Sequence, residues 1–176
     1  MPYLVIFILL LAFPGCSNLE KLNVVQYTSQ RSISLVPSKD LSRHGSLLAQ
    51  VVGQRDGESF SFLVQVEASN DELIVVGLTP FKTRAWVVRY RGNEYSFSNH
   101  PIFPIPIPPK QFLAELQYAY FIDSPLPKCK NGESASVVSE VEFVCAKAGR
   151  KLRVANLYDG YIFSVESIQS DLHAPS

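Results

Sequence analysis

The segment that decides the fold is Glu58–Ala68, with the sequence Glu-Ser-Phe-Ser-Phe-Leu-Val-Gln-Val-Glu-Ala. Phe60, Phe62, Val64 and Val66 occupy every second position, and mostly polar residues stand between them. Successive side chains of a β-strand point to opposite faces of the sheet. The alternation therefore predicts a strand with one buried face and one wetter face.

The same period of two continues on both sides of this segment. Three short segments between the alternating runs are typical of tight β-hairpin turns: Arg55-Asp56-Gly57, Arg91-Gly92-Asn93 and Asp159-Gly160. The predicted strands are Leu47–Val52, Glu58–Ala68, Glu72–Leu78, Arg84–Tyr90, Asn93–Ser98, Val137–Cys145, Lys151–Leu157 and Tyr161–Ile168. Short connections between consecutive strands favour an antiparallel sheet.

A proline-rich segment interrupts the strands. Residues 100–109 contain five prolines, which remove backbone donors and exclude both a helix interior and a central strand. Beyond this segment, an amphipathic helix is predicted from Pro109 to near Asp123. Its apolar stripe consists of Phe112, Leu113, Leu116 and Tyr120.

The predicted fold class is mainly β, of the α+β type: a curved antiparallel half-barrel of about eight or more strands with one amphipathic helix as lid or plug. One helix cannot cover a sheet of this size. Either the sheet curls until its own side chains fill it, or it keeps an apolar cavity beneath the helix. In the second case the expected lining residues are Phe62, Val64, Trp86, Val88, Leu113 and Leu116.

The N-terminus resembles a bacterial lipoprotein signal. An unbroken apolar run, Tyr3–Phe13, is too short to span a bilayer and leads into Pro14-Gly15-Cys16. Cys16 is therefore the expected lipid attachment site, the alternative being a plain cleaved signal with an incidental cysteine. Ser17 stands where an aspartate would retain a lipoprotein in the inner membrane, which by analogy favours an outer-membrane protein facing the periplasm.

Four parts of the chain are expected. Residues 1–15 form the signal peptide, 16–42 a tether, 43–170 the half-barrel domain and 171–176 a tail. Ile33 and Leu35 leave open the alternative that the second half of the tether packs onto the domain.

Composition limits the classes of function. Lys plus Arg and Asp plus Glu both number 16, so the net charge is zero. This balance argues against nucleic acid, whose binding depends on a basic surface. His44, His100 and His173 lack metal-ligand spacing, and neither a nucleophile elbow nor a phosphate-binding loop occurs. The sequence predicts no enzyme, no metal and no cofactor.

Two further cysteines, Cys129 and Cys145, are the remaining thiols after Cys16. In an oxidising periplasm, two cysteines in one domain commonly form a disulfide. Because Cys145 lies in an apolar strand pattern, two buried thiols are the alternative.

A resemblance to a known family adds to this interpretation. Three motifs occur in the order seen in the outer-membrane lipoprotein receptor of the bacterial lipoprotein-sorting pathway. They are Thr79–Arg84, Gly92–Tyr95, and Pro104–Ile107 leading into Gln111–Leu113. The chain is also similar to a short lipoprotein family found in aryl polyene pigment gene clusters.

The features shared with the pigment-cluster family are two short motifs. Leu78-Thr79-Pro80 matches its leucine-threonine-proline loop, and Asn156–Tyr161 matches its terminal hairpin. Together the two resemblances cover roughly residues 45–168.

The resemblance implies a half-barrel whose apolar interior receives acyl chains. By position, Phe81 would project from its loop toward the membrane or an incoming lipidated cargo. Lys82 stands where the family usually has glycine, and a non-glycine residue disfavours a positive φ angle.

The implied function is a membrane-anchored lipoprotein that binds a lipid or acyl chain and assists its transfer or localisation. The implied partners are a lipid, lipoprotein or polyene-lipid cargo and a periplasmic carrier protein. The alternative is a non-catalytic tethered scaffold or assembly factor with a fully packed sheet.

Overall fold

The computed structural model describes residues 23–26, 32–101, 106–122, 134–138, 141–145, 151–156 and 160–175. The strands are β1 (Val24–Gln26), β2 (Ser32–Ser34), β3 (His44–Arg55), β4 (Glu58–Ala68), β5 (Glu72–Leu78), β6 (Arg84–Arg91), β7 (Glu94–Asn99), β8 (Ser134–Val138), β9 (Val141–Cys145), β10 (Lys151–Asn156) and β11 (Tyr161–His173). Helix α1 (Pro109–Leu116) continues into a π-helical turn, Gln117–Phe121, and a 3₁₀ turn covers Ser38–Asp40.

Nine of these strands form one large sheet in the order β7-β6-β5-β4-β3-β11-β10-β9-β8. Every adjacent pair is antiparallel. The described sheet does not close into a barrel, and helix α1 packs on its concave face. The predicted class, a curved antiparallel half-barrel with one helix, is confirmed.

Most predicted elements occur within a few residues of their expected positions, but two differ. The run Val137–Cys145 is not one strand, because β8 and β9 pair with each other as a hairpin. The helix begins at Pro109 as expected, but its regular part ends at Leu116, after which the backbone widens into the π turn.

In the second half of residues 16–42, where a tether is expected, the described chain packs onto the domain, as in the alternative that the sequence leaves open. Ile33, Leu35 and Leu41 are buried in the domain core. The Gln117 side chain binds the same backbone residue twice, accepting from Val36 N–H and donating to its carbonyl oxygen, both at 2.9 Å. These three apolar side chains would otherwise stay in water, which explains why this segment belongs to the fold.

The expected tail is also shorter than predicted. Strand β11 continues to His173, which pairs with His44 at the far end of β3. Because β3 is twelve residues long, β11 gains a partner for its backbone well beyond Ile168.

Two glycines shape the concave face of the sheet. Gly77 faces Trp86 across β5 and β6, and a Cβ atom built on it would lie 2.0 Å from the indole ring. Gly53 has the same relation to Phe60, whose ring would be 2.5 Å from such a Cβ. Both large rings therefore occupy space that a side chain at the facing glycine would need.

Candidate functional site

An apolar cavity opens where β5 ends and β6 begins. Its volume is about 140 Å³. The lining residues are Phe60, Ser61, Phe62, Leu78, Thr79, Pro80, Ala85, Trp86 and Pro106. A dry apolar cavity of about 150 Å³ in another protein binds benzene, so this space suits one ring or the last few carbons of a chain.

Aromatic rings form the inner wall of this cavity. Phe62 and Trp86 meet edge to face with centroids 5.8 Å apart. Phe112 of helix α1 approaches the same two rings at 6.0 and 5.9 Å, also edge to face. Such geometry is favourable for ring quadrupoles and holds each ring in one orientation. The wall is therefore preformed rather than assembled around a ligand.

The proline-rich segment supplies one rim. Arg55 donates a hydrogen bond from Nη1 to the carbonyl oxygen of Pro106 at 2.9 Å. The next residue, Ile107, is buried in the core. Pro106 has no N–H group with which to join a sheet ladder, and the Arg55 bond and the buried Ile107 hold this part of the segment instead.

The loop from Thr79 to Thr83 supplies the opposite rim and is closed by its own hydrogen bonds. Thr79 N–H donates to Thr83 O at 2.9 Å, Lys82 N–H donates to Thr79 O at 2.8 Å, and the two threonine hydroxyls lie 2.7 Å apart. Lys82 adopts the positive φ of 59° that the sequence disfavoured. The hydrogen bonds of the loop thus hold Lys82 at a positive φ angle, although a residue with a Cβ atom disfavours that angle.

Phe81 stands at the tip of this loop and is 89% exposed, more than any other large apolar side chain in the described residues. An aromatic ring held in water by a rigid loop loses the free energy that burial would provide. The ring is not folded back onto the sheet edge. What it contacts stays a prediction.

The six predicted lining residues separate into two groups. Phe62 and Trp86 line the cavity. Val64, Val88, Leu113 and Leu116 are fully buried in the packed core and do not line it. Sequence reasoning missed the cavity positions of Thr79, Pro80 and Pro106, although the turn-forming Thr-Pro pair and the proline run were visible signals.

A buried polar chain connects helix α1 to the sheet. The Tyr161 hydroxyl donates to Glu115 Oε1 at 2.5 Å and accepts from Asn156 Nδ2 at 3.0 Å. All three residues are at most 1% exposed. A carboxylate in the core is costly unless hydrogen-bonded, so this chain fixes the helix over β10 and β11. No local pattern reveals this chain, because Glu115 and Tyr161 are 46 residues apart in the sequence.

Several predicted positions lie outside the described residues. Cys16 and Cys129 are among them. Cys145 closes strand β9, where its backbone pairs with Leu152. The lipid attachment and the disulfide both stay predictions.

Other features of the described residues do not compete with the apolar cavity. A larger open groove of about 510 Å³ is bordered by Glu72, Arg89, Arg91 and Glu94, whose charges suit no acyl chain. Within the described ranges, no three His, Cys, Asp or Glu side chains are grouped to hold a metal ion. The same ranges contain no helix with the length and apolar character needed to cross a membrane.

A protein-family model described as "Protein of unknown function (DUF3261)" matches residues 46–169. The chain belongs to this family. The DUF3261 match begins within β3 and ends within β11, so it contains the cavity, the Thr79–Thr83 loop and helix α1. It leaves out β1, β2 and the buried segment that follows them. No curated protein matches the chain.

Proposed function

We propose that this protein is a membrane-anchored lipoprotein that binds the end of an acyl or polyene-lipid chain and assists its transfer or localisation at the outer membrane. One observation carries the proposal: a single hydrogen-bonded loop both lines the apolar cavity, through Thr79 and Pro80, and presents Phe81 to solvent. An exposed ring beside an apolar opening suits a membrane or lipidated cargo.

Two cationic side chains next to Phe81 support contact of this loop with a lipid surface. Lys82 follows it directly, and Arg84 begins the next strand, with both side chains exposed. A ring that enters the headgroup region would bring these cations near anionic lipid. The resemblance to the lipoprotein-sorting receptor, whose matching loop projects a hydrophobic residue, supports the same role.

The size of the cavity indicates transfer rather than storage. A space that holds about six carbons would contribute about 4–5 kcal/mol at 0.8 kcal/mol per methylene. That free energy corresponds to a dissociation constant near the millimolar range. A chain end held so weakly can leave again quickly, as a transfer protein requires.

Binding can be measured through Trp86, because it is the single tryptophan of the chain and it lines the cavity. We expect parinaric acid, a conjugated polyene fatty acid, to quench Trp86 emission by energy transfer, and palmitate to reverse the quenching. Ala85→Leu, which fills the cavity, should abolish both effects, whereas Val52→Leu on the outer face of β3 should leave them unchanged. Unaltered quenching in Ala85→Leu would place the ligand elsewhere.

Membrane contact is tested separately by flotation with liposomes that contain phosphatidylglycerol. Phe81→Ala should lose liposome binding with an unchanged melting temperature. Ile168→Ala is the matched control, because Ile168 is also exposed, at 58%, but lies far from the loop in sequence and on another strand. A Phe81 variant that melts lower yet floats normally would contradict the assignment.

The anchor itself is tested by Cys16→Ala in the full-length chain. The variant should leave the membrane fraction, and the N-terminal peptide of the unaltered protein should carry acyl mass. Membrane fractionation that does not depend on Cys16, with no acyl mass, would contradict the lipid anchor.

A second function is favoured by one observation. Val64, Val88, Leu113 and Leu116 are fully packed, so most of the concave face offers no space to a ligand. A tethered scaffold whose surfaces bind an assembly partner would have this interior. Failure of both lipid ligands to affect Trp86, together with normal folding, would support the scaffold.

A further inference from the structure

The outer edge of strand β7 is the feature that the proposed function leaves unused. β7 is the first strand of the large sheet, and no strand among the described residues pairs with its outer side. Natural edge strands are usually protected by proline, lysine, a bulge or a covering element. After Glu94 at its start, β7 contains no charged residue and no proline, and its register with β6 is regular throughout.

The backbone groups at this edge can be assigned from the β6–β7 ladder. His100 N–H donates to Ala85 O at 2.7 Å, so this pair belongs to the hydrogen-bonded set. In an antiparallel ladder, bonded and non-bonded pairs alternate. Counting back along β7, Tyr95, Phe97 and Asn99 therefore direct their N–H and C=O groups away from β6.

We propose that β7 pairs antiparallel with β7 of a second copy of this chain, around a two-fold axis at Phe97. In this register Phe97 faces Phe97 of the second copy, and Tyr95 faces Asn99 of the second copy. Three residues each offer one N–H and one C=O, so the three pairs form six hydrogen bonds and use every outward group. The register is self-complementary, which favours a second copy over an unrelated chain.

The side chains agree with this arrangement. Phe97 is 38% exposed and lies on the same face as Tyr95, which packs against the core. Two facing phenylalanines cover each other across the axis, as aromatic cross-strand pairs do. On the other face, Ser96 meets Ser98 of the second copy, so no like charges are opposed.

The size of the contact sets its strength. Five residues per copy, 95–99, form an interface at the small end of specific protein contacts, which is typical of weak association. Anchoring both copies in one bilayer would raise their effective concentration and favour the pair. The inference rests on the sheet edge alone and does not depend on lipid binding.

Cysteine pairs test the register in the full-length chain. A mixture of Ser96→Cys and Ser98→Cys proteins should form about tenfold more cross-linked dimer than either variant alone, because non-bonded partners lie about 4.5 Å apart at Cα. Peptide mapping assigns the bond to positions 96 and 98 rather than to native cysteines. Equal yields in the mixture and in the single variants would overturn the proposed register.

A proline variant tests the hydrogen bonds. Phe97→Pro removes an outward N–H and leaves the β6 ladder intact, so it should abolish the concentration-dependent dimer seen by native mass spectrometry while the protein stays folded. If Phe97→Pro does not fold, Phe97→Lys serves instead, since two facing lysines repel across the axis. A dimer that survives in a folded Phe97 variant, or a wild-type chain that is monomeric at every concentration, would overturn the proposal.

Discussion

Gly77→Ala is the substitution that tests the architecture of the cavity wall most directly. The added Cβ would lie 2.0 Å from Cε2, 2.2 Å from Nε1 and 2.5 Å from Cζ2 of Trp86. All three atoms belong to one rigid ring. To restore an ordinary contact of 3.4 Å, the ring must move by about 1.4 Å, the difference between that contact and the closest approach.

The expected cost follows from what the ring touches. Overpacking a core by one methyl group costs about 1–3 kcal/mol. Movement of Trp86 also disturbs its edge-to-face contacts with Phe62 and Phe112, worth about 0.5–1.5 kcal/mol each. We therefore expect the free energy of unfolding to fall by about 3 kcal/mol, and the melting temperature by about 6–12 °C.

Urea denaturation followed by Trp86 fluorescence measures this change, and the emission of the folded state reports the displaced ring. A double-mutant cycle supplies the control: with Trp86→Leu already present, Gly77→Ala should cost less than about 1 kcal/mol, as followed by circular dichroism. If Gly77→Ala changes stability by less than about 0.5 kcal/mol with unaltered emission, the explanation of Gly77 as the floor beneath Trp86 is wrong.

Three further predictions concern the loop, the N-terminal segment and pH. Lys82→Gly should raise the free energy of unfolding by about 0.5–1 kcal/mol, because glycine adopts the φ of 59° without strain; a chemical denaturation curve that shifts downward would contradict it. Gln117→Leu should cost about 1–3 kcal/mol by leaving the partly buried N–H and C=O of Val36 without their amide partner. It should also expose the N-terminal segment to limited proteolysis. Burial raises the pKa of Tyr95 to about 12, so the folded protein keeps the phenol proton to a higher pH than the unfolded chain does. The contribution of Tyr95 to the free energy of unfolding is therefore complete below pH 10 and falls between pH 10 and 12. Comparing the tyrosinate absorbance of Tyr95→Phe with that of the unaltered protein identifies the group.

The sequence predicted the strands well because their signals are local. Alternation in Glu58–Ala68 and turn dipeptides such as Asp159-Gly160 act through neighbouring residues, so they survive in the fold. The start of the helix at Pro109 was predicted for the same reason, since proline is tolerated only in the first turn.

What the sequence could not indicate depends on distant partners. Leu35 and Leu41 are buried, but they belong to no periodic pattern. A segment without regular secondary structure buries side chains at no fixed spacing. The pairing of Glu115 with Tyr161 requires the tertiary fold before it becomes visible. The predicted lining residues lie on the correct face of the sheet, but of these six only Phe62 and Trp86 border the cavity. Periodicity predicts which face a side chain is on, but not whether that side chain is packed in the core or borders a cavity.

The packing of Val25, Ile33, Leu35 and Leu41 into the core also limits how far the protein can stand from a bilayer. A free segment of 26 residues could extend to about 90 Å, whereas only seven residue steps separate Cys16 from Asn23, where the described chain begins, and these span at most about 25 Å. In the proposed lipoprotein, the linker from Cys16 to the domain is therefore shorter than strand β3, whose twelve residues extend about 40 Å. The anchored domain could not extend far into the periplasm. A carrier protein would therefore have to bind close to the membrane surface to reach the cavity.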